Sequence, residues 1–397
     1  MWVGSGAAAL GLAGTVEEGQ LARLFDEGRH PLSGEPLGLA YRHDSKRTVV
    51  TGFALSFSPA KSVSLVGAFG GTEVAGEVRA AHDAAVAAAL GFLEEHAAFS
   101  RTGRAGVFQV DTEGYVAACF THHTSRAGDP QWHSHVLVAN KVRCADGRWR
   151  SLDGREVFAF QKGAGMVYNA TLRVELSGRL GVEWEPVDRN GQADIRGVPR
   201  GLIELFSKRR KDVEVRGAQR IALAEARLGR TLTDDERAEQ YQFAAYDTRP
   251  AKTGAEDEAT LGGRWRTEAA AAGWEPERWL AATLGRSREP DLIVSPEVAE
   301  QIVVDDVVAE LAQAHSTWSR AEVAKAVARR LPPGLSGDAA GGRAWIEETS
   351  AAVLAHPEVV TLASPLSVEV PEGLRRRDGL PTHERHGASR QSWASPT

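Results

Sequence analysis

Cysteine is nearly absent from the 397 residues: Cys119 and Cys144 are the only two, too few for a disulfide scaffold. That usage points to a reducing compartment, the cytoplasm. No apolar run approaches the roughly 20 residues that span a bilayer, and the start MWVGSGAAALGLAG lacks the charged and apolar regions of a signal peptide. Neither membrane insertion nor export is expected. An excess of positive charge is lacking as well: 47 Lys and Arg against 53 Asp and Glu give a net charge of −6, so a polyanionic partner has to be held by a local basic surface. There is no internal repeat and no GKS or GKT phosphate loop, so no ATP-driven motor of that type is encoded. What is present is ordinary globular composition, 42% hydrophobic and 25% charged, in a chain long enough for two or three domains at about 100–200 residues each.

Along the chain, Thr15 followed by Glu18 reads as a capping box opening a helix that Gly28 stops. The alternation through Phe53, Leu55 and Phe57 predicts a half-buried strand within Val49 to Leu65, ending near Pro59, with Lys61 on a loop or helix start. Ala- and Leu-rich sequence predicts a helix from Thr72 to Phe99. Strands are expected at Ala105 to Val110, Tyr115 to His122 and His133 to Val142, a helix from about Gly163 to Leu180, and a short strand at Gly181 to Pro186. Strands and helices intermix without a strict βαβ rhythm, which predicts an α+β fold with an antiparallel central sheet flanked by helices. From Arg196 to Arg230 ten basic residues face four acidic ones, a local positive excess. Residues 285–296 read as a linker; three helices, from about Pro296, Ser319 and Gly341, and two short strands flanking Pro365 suggest a winged-helix-like module over 296–370. Residues 371–397 read as a tail.

The strongest chemical signal is four histidines within fourteen positions, in FTHHTSRAGDPQWHSHVLVANK. Residues two apart on a strand share a face, so His133 and His135 converge while Trp132 and Ser134 face away. Gly128, Asp129 and Pro130 supply turn residues, so a hairpin brings His122 across from the HxH pair and turns His123 to the other face. Three imidazoles suit a borderline divalent cation and leave positions open for substrate oxygens. Thr124, Ser125 and Arg126 place hydroxyl and guanidinium donors beside it, a group suited to phosphate. Lys61 is a further candidate of that kind, and the run Lys208, Arg209, Arg210 becomes a DNA footprint if it shares the histidine side. A cupin-like metalloenzyme wants a Glu shortly after the HxH, and Val136 to Lys141 offers none.

Four segments, SFSPAKSVS at Ser56 to Ser64, HHTSRAGDPQWHSHVLVAN at His122 to Asn140, GVPRGLIELFSKRR at Gly197 to Arg210 and DTRPAK at Asp247 to Lys252, together resemble the MobF-class conjugative relaxases of the TrwC and TraI type. The order and spacing agree over about the first 290 residues, so residues 1–290 are expected to form a TrwC-type relaxase domain on a palm-like HUH sheet, and 296–370 resembles the start of the family's helicase part. The resemblance implies a strand transferase that nicks single-stranded DNA at an origin of transfer through a phosphotyrosyl intermediate. It carries the metal ligands to His122, His133 and His135 with Mg, Mn or Zn as cofactor, and makes other conjugation proteins further expected partners. Two departures bear on the chemical step. The family's nucleophilic tyrosines lie near the chain start, whereas no tyrosine here precedes Tyr41, so either the natural protein is longer or the nucleophile is missing, and Tyr41, Tyr115, Tyr168, Tyr241 and Tyr246 match no nucleophile position. The family's aspartate in a GYDLTFS-like strand is replaced by Ala54 in GFALSFS. The alternative expectation is therefore a relaxase remnant that binds DNA, with or without metal, and does not cut it.

Overall fold

A computed structural model describes residues 1–39, 41, 49–250, 257–286, 296–332, 338–362, 370–382 and 392–395. The chain opens with β1 (Trp2–Val3), α1 (Ser5–Ala9) and α2 (Glu18–Leu21), which runs on through a π-helical turn, Ala22–Glu27, to Gly28. The N-cap of α2 is Glu17, whose amide donates to Gln20 Oε1, rather than the expected Thr15; Gly28 ends the turn at φ 69° as a left-handed cap.

Then follow β2 (Gly52–Phe57), α3 (Lys61–Phe69), α4 (Gly71–Ala97), β3 (Phe99–Thr102), β4 (Phe108–Asp111), β5 (Ala117–Thr124), β6 (Pro130–Ala139), β7 (Val142–Arg143), β8 (Trp149–Arg150) and α5 (Gly154–Leu180). β6 begins three residues before the expected His133, because Pro130, which has no N–H to give a ladder, fits the first position of a strand. α5 begins nine residues before the expected Gly163; its first turns expose Phe158 and so show no clean apolar stripe in sequence. The strand expected at Gly181 to Pro186 is reduced to one bridge, Trp184 to Ile195.

The central sheet is antiparallel throughout, in the order β1-β5-β6-β2. Along β6 the even positions Pro130 to Val138 are buried and the odd positions Gln131 to Leu137 half-buried, which is the period of two that separates the faces of a strand. The buried face joins Phe57, Cys119, Trp132, Val136 and Val138 to α3, α4 and α5 in the main core. α4 contributes Val78, Ala81, His82, Ala85, Ala89 and Phe92, a stripe spaced by three and four residues. On the opposite face, Trp2, Leu12, Leu24 and Leu37 pack on Val116, Ala118 and Ala139 at one end. The far end of that face, beyond Phe120, carries the histidines.

The remaining elements are α6 (Arg200–Leu205), α7 (Lys208–Leu228), α8 (Asp234–Asp247), α9 (Glu258–Ala271), α10 (Pro276–Ala281), α11 (Pro296–Ala314), β9 (Trp318–Ser319), α12 (Arg320–Arg330), α13 (Ala339–Leu354), β10 (Val360–Leu362) and β11 (Ser392–Ala394). The expected capping box of α12, Ser319 with Glu322, is present. Helices α11 to α13 join the main core; α12 and α13 pack on α5, α13 also on α4, and α11 packs on α12 and α13. A three-stranded antiparallel sheet ordered β10-β11-β9 accompanies them, so residues within the expected tail supply its middle strand. Most of the expected linker, 287–295, and the strand expected after Pro365 lie outside the described residues. Among the described residues no helix is long and apolar enough to cross a membrane.

Candidate metal centre

The antiparallel register of β5 and β6 sets His122 directly opposite His133, and Phe120 opposite His135. Alternation along β6 puts His133 and His135 on one face, so the three rings gather at the same end of the sheet. Their centroids are 5.3 Å (His122 to His133), 5.7 Å (His122 to His135) and 5.1 Å (His133 to His135) apart. His123 turns to the other face, where its ring lies 4.2 Å from that of Trp132, as strand parity expects.

The hydrogen bonds behind the rings fix which nitrogens face outward. His133 Nδ1 is 3.0 Å from Gln131 O, and since a carbonyl only accepts, Nδ1 carries the proton and Nε2 keeps its lone pair. His135 is engaged at the same atom, its Nδ1 2.9 Å from Ser56 Oγ across the β2–β6 ladder. Such outer partners orient metal-binding imidazoles. Ala54 lies two residues from Ser56 on the same exposed face of β2, so Ser56 supplies a ring contact in a strand whose expected aspartate is missing. Burial first, then His133, Arg249 and Arg126, holds the His135 imidazole below the ordinary histidine range, which keeps it neutral and able to ligate.

The donor set fits a borderline divalent ion: three imidazoles, two of them tied at Nδ1, on a face open to substrate. Among the described residues, the group whose ligand atoms all lie within 4.8 Å of one another is a different one, Glu95, His96 and Glu347. The histidine nitrogens on the sheet are more widely spaced, and closing them on an ion takes side-chain rotation. The Glu95 group has its charge already balanced, with Arg343 2.6 Å from Glu95 and Arg320 3.8 Å from Glu347, so it reads as an ion-paired pin between α4 and α13.

The candidate phosphate donors divide. Thr124 ends β5 and Ser125 opens the loop, where its Oγ accepts from the amides of Ala127 and Asp129. Arg126 is exposed and bonds Pro250 O at 3.3 Å. Lys61 Nζ donates to Pro130 O at 2.7 Å, pinning the start of α3 to that of β6. Lys208 pairs with buried Asp129 (3.2 Å) and with Glu268 (2.6 Å), and Arg209 caps the end of α8 through Thr248 O and Ala245 O. Arg210 pairs with Glu214 along α7 at 2.7 Å. Lys61, Lys208 and Arg209 thus hold the frame around the site. Sequence reasoning passed over Arg249, which is exposed and close enough to depress His135; the signal available was its place in the DTRPAK segment.

Burial pushes the Lys61 ammonium down to about 8, against the pull of Asp129 and with the push of Lys208. Between pH 8 and 10.5 the unfolded chain then binds the proton that folded Lys61 has lost, so stability rises with pH across that window. The expected outcome is that Lys61→Met removes this component, read as a flatter difference curve in chemical denaturation from pH 7.5 to 10.

A model of the TrwC relaxase family matches residues 1–272. Two multifunctional conjugation proteins TraI are similar in sequence. That from Escherichia coli is 33% identical over 260 residues, 63% of this chain and 13% of the relative; that from Escherichia coli strain K12 is 29% identical over 360 residues, 87% and 19%. The chain therefore spans less than a fifth of these curated relatives. Among solved structures, the conjugative relaxase TrwC in metal-bound complex with oriT DNA superposes with a TM-score of 0.56 at 31% identity, covering 69% of this chain and 89% of that one. TrwC with a 27-mer DNA comprising the recognition hairpin and the cleavage site gives 0.56 at 29% identity, covering 69% and 92%.

Proposed function

The chain belongs to the TrwC relaxase family, and on that premise we propose that its histidine face holds a divalent metal ion and a phosphate of single-stranded DNA at an origin of transfer, for nicking and rejoining of that strand. The observation that carries this reading is the gathering of His122, His133 and His135 on one face of the sheet, with centroids 5.1–5.7 Å apart. When bound, a divalent ion polarises the phosphoryl oxygens. The residues around it favour the neutral form of His135, engage His133 and His135 through Gln131 and Ser56, and add the positive charge of Arg126 and Arg249 beside the rings. In the strand-transfer step a tyrosine oxygen bonds phosphorus, the bond to the 3′ oxygen breaks, and the tyrosine proton ends on that oxygen. TrwC solved in metal-bound and DNA-bound forms supports both ligands, and buried, unpaired Cys119 and Cys144 suit a cytoplasmic setting.

A second reading, DNA binding without cutting, is favoured by the tyrosines. Tyr41 OH donates to Thr51 O, Tyr115 OH to Leu93 O, and Tyr168 OH is bound to His82, so three of the five hydroxyls are committed to the fold. Incubation with single-stranded DNA and Mn2+ separates the readings. Metal-dependent binding with no denaturation-resistant adduct is the result for a binder; an adduct assigns cleavage to this chain, and loss of the adduct in one Tyr→Phe variant identifies the nucleophile. DNA binding indifferent to both metal and His133→Ala refutes the site itself. Arg249→Gln is expected to weaken binding and to lower the slope of log K against log salt by about 0.7, the share of one single-strand phosphate contact.

A further inference from the structure

On the sheet face opposite the histidines, four buried or half-buried side chains form one hydrogen-bonded line. Tyr168 OH on α5 is 2.8 Å from His82 Nδ1 on α4; His82 Nε2 is 2.7 Å from Ser134 Oγ on β6; Ser134 Oγ is 2.8 Å from Thr121 Oγ1 on β5. His82 and Ser134 are wholly buried, and Tyr168 is 2% exposed. The strand ends of the line are set by register: Thr121 sits opposite Ser134, Thr121 precedes His122, and Ser134 lies between His133 and His135. Every candidate ligand is thus next in sequence to a member of this line.

The line has a definite direction. Tyr168 is fully enclosed and makes no other hydrogen bond among the described residues, so an O–H pointed anywhere but at His82 would be stranded, at a cost of about 1–3 kcal/mol. Tyr168 therefore donates to Nδ1 and His82 donates from Nε2 to Ser134, which in turn bonds Thr121, with the Cys119 thiol within hydrogen-bond reach of both hydroxyls. Burial, aided by His133 and His123, pushes His82 down to about 4, so it stays neutral as this direction requires. The adjoining rings give the line rigid walls: His82 meets Trp132 at 6.5 Å and Tyr168 meets Phe57 at 5.4 Å between centroids.

We infer that Tyr168, His82, Ser134 and Thr121 are positioning residues for the metal centre, locking the β5–β6 register and pleat so that His122, His133 and His135 converge. The inference rests on the metal-binding reading above but concerns different residues, none of which touches the ion. A polar network in a core that could be apolar is most expensive when half satisfied, and this one is continuous from helix to ligand strand.

The test measures two quantities, the Zn2+ dissociation constant by calorimetry and the metal-free melting temperature, in four variants. Ser134→Ala and Tyr168→Phe interrupt the line near and far from the ligands. Thr121→Ser keeps the hydroxyl. Val353→Ala removes a buried side chain of α13 and controls for lost stability alone. The expected result is a Zn2+ dissociation constant raised about 10- to 100-fold in Ser134→Ala, the range for lost outer partners of metal ligands, and raised less in Tyr168→Phe. Thr121→Ser and Val353→Ala bind as the parent does, whatever their melting temperatures. Parent-like affinity in both Ser134→Ala and Tyr168→Phe overturns the inference, as does an equal loss in Val353→Ala. Should Ser134→Ala not fold, Tyr168→Phe decides alone. His133→Ala tells the two claims apart: unchanged Zn2+ binding there removes the metal site, whereas its loss together with parent-like Ser134→Ala removes only the positioning role.

Discussion

Replacement of His133 by alanine is expected to weaken divalent-metal binding by more than the roughly 10- to 100-fold that follows loss of an outer partner. His133 is the centre of the constellation: it faces His122 across the strand pair, shares a face with His135, and has its tautomer set by Gln131 O. Two imidazoles remain in the variant, too few for the three protein ligands of an open catalytic site. The fold is expected to survive, because the ring is half-exposed and packs in neither hydrophobic cluster. Calorimetric titration with Zn2+ or Mn2+ beside a far-ultraviolet dichroism spectrum checks both halves. Parent-like affinity in a folded variant refutes the ligand assignment.

The largest expected loss of stability is at Phe92. Its ring is wholly buried on α4, with Phe160 at 6.0 Å and His96 at 4.7 Å between centroids, and it lies against Gly163 of α5. Truncation to alanine leaves a cavity between the two longest helices, for which about 3–5 kcal/mol is expected in urea denaturation. The effect reaches the metal centre through α4, which carries His82, and through α5, which carries Tyr168. A variant that loses less than about 1 kcal/mol would mean that α4 and α5 close over the gap.

The site was legible where the period of two applies. His122, His133 and His135 follow from parity and a hairpin turn, and the structure gathers them; His123 follows from the same rule on the other side. The long helices were legible because α4 is Ala-rich with an unbroken apolar stripe, and α12 because Ser319 and Glu322 cap it. Partners distant in sequence were not legible. Nothing near Lys208 or Arg209 in the chain announces that Asp129, Glu268 and the end of α8 pair with them, so their part in holding the fold could not be read from the basic run. His82 was equally silent, since a histidine set among alanines on a helix has no periodic signature; only packing brings it to Ser134, 52 residues away. The start of α5 was missed because its first turns lie partly in solvent, where hydrophobic spacing carries no information.

The small sheet beside α12 has its own consequence. Its middle strand, Ser392–Ala394, pairs with Trp318–Ser319 on one side and Val360–Leu362 on the other, so the first and last strands wait for the last-made one. During synthesis β9 and β10 emerge with their ladder groups unmatched, and the sheet can form only after translation has passed Trp393. Truncations or ribosome pauses short of that point are therefore expected to leave nascent chains with two open strand edges available to chaperones, while the four-stranded sheet upstream has already formed.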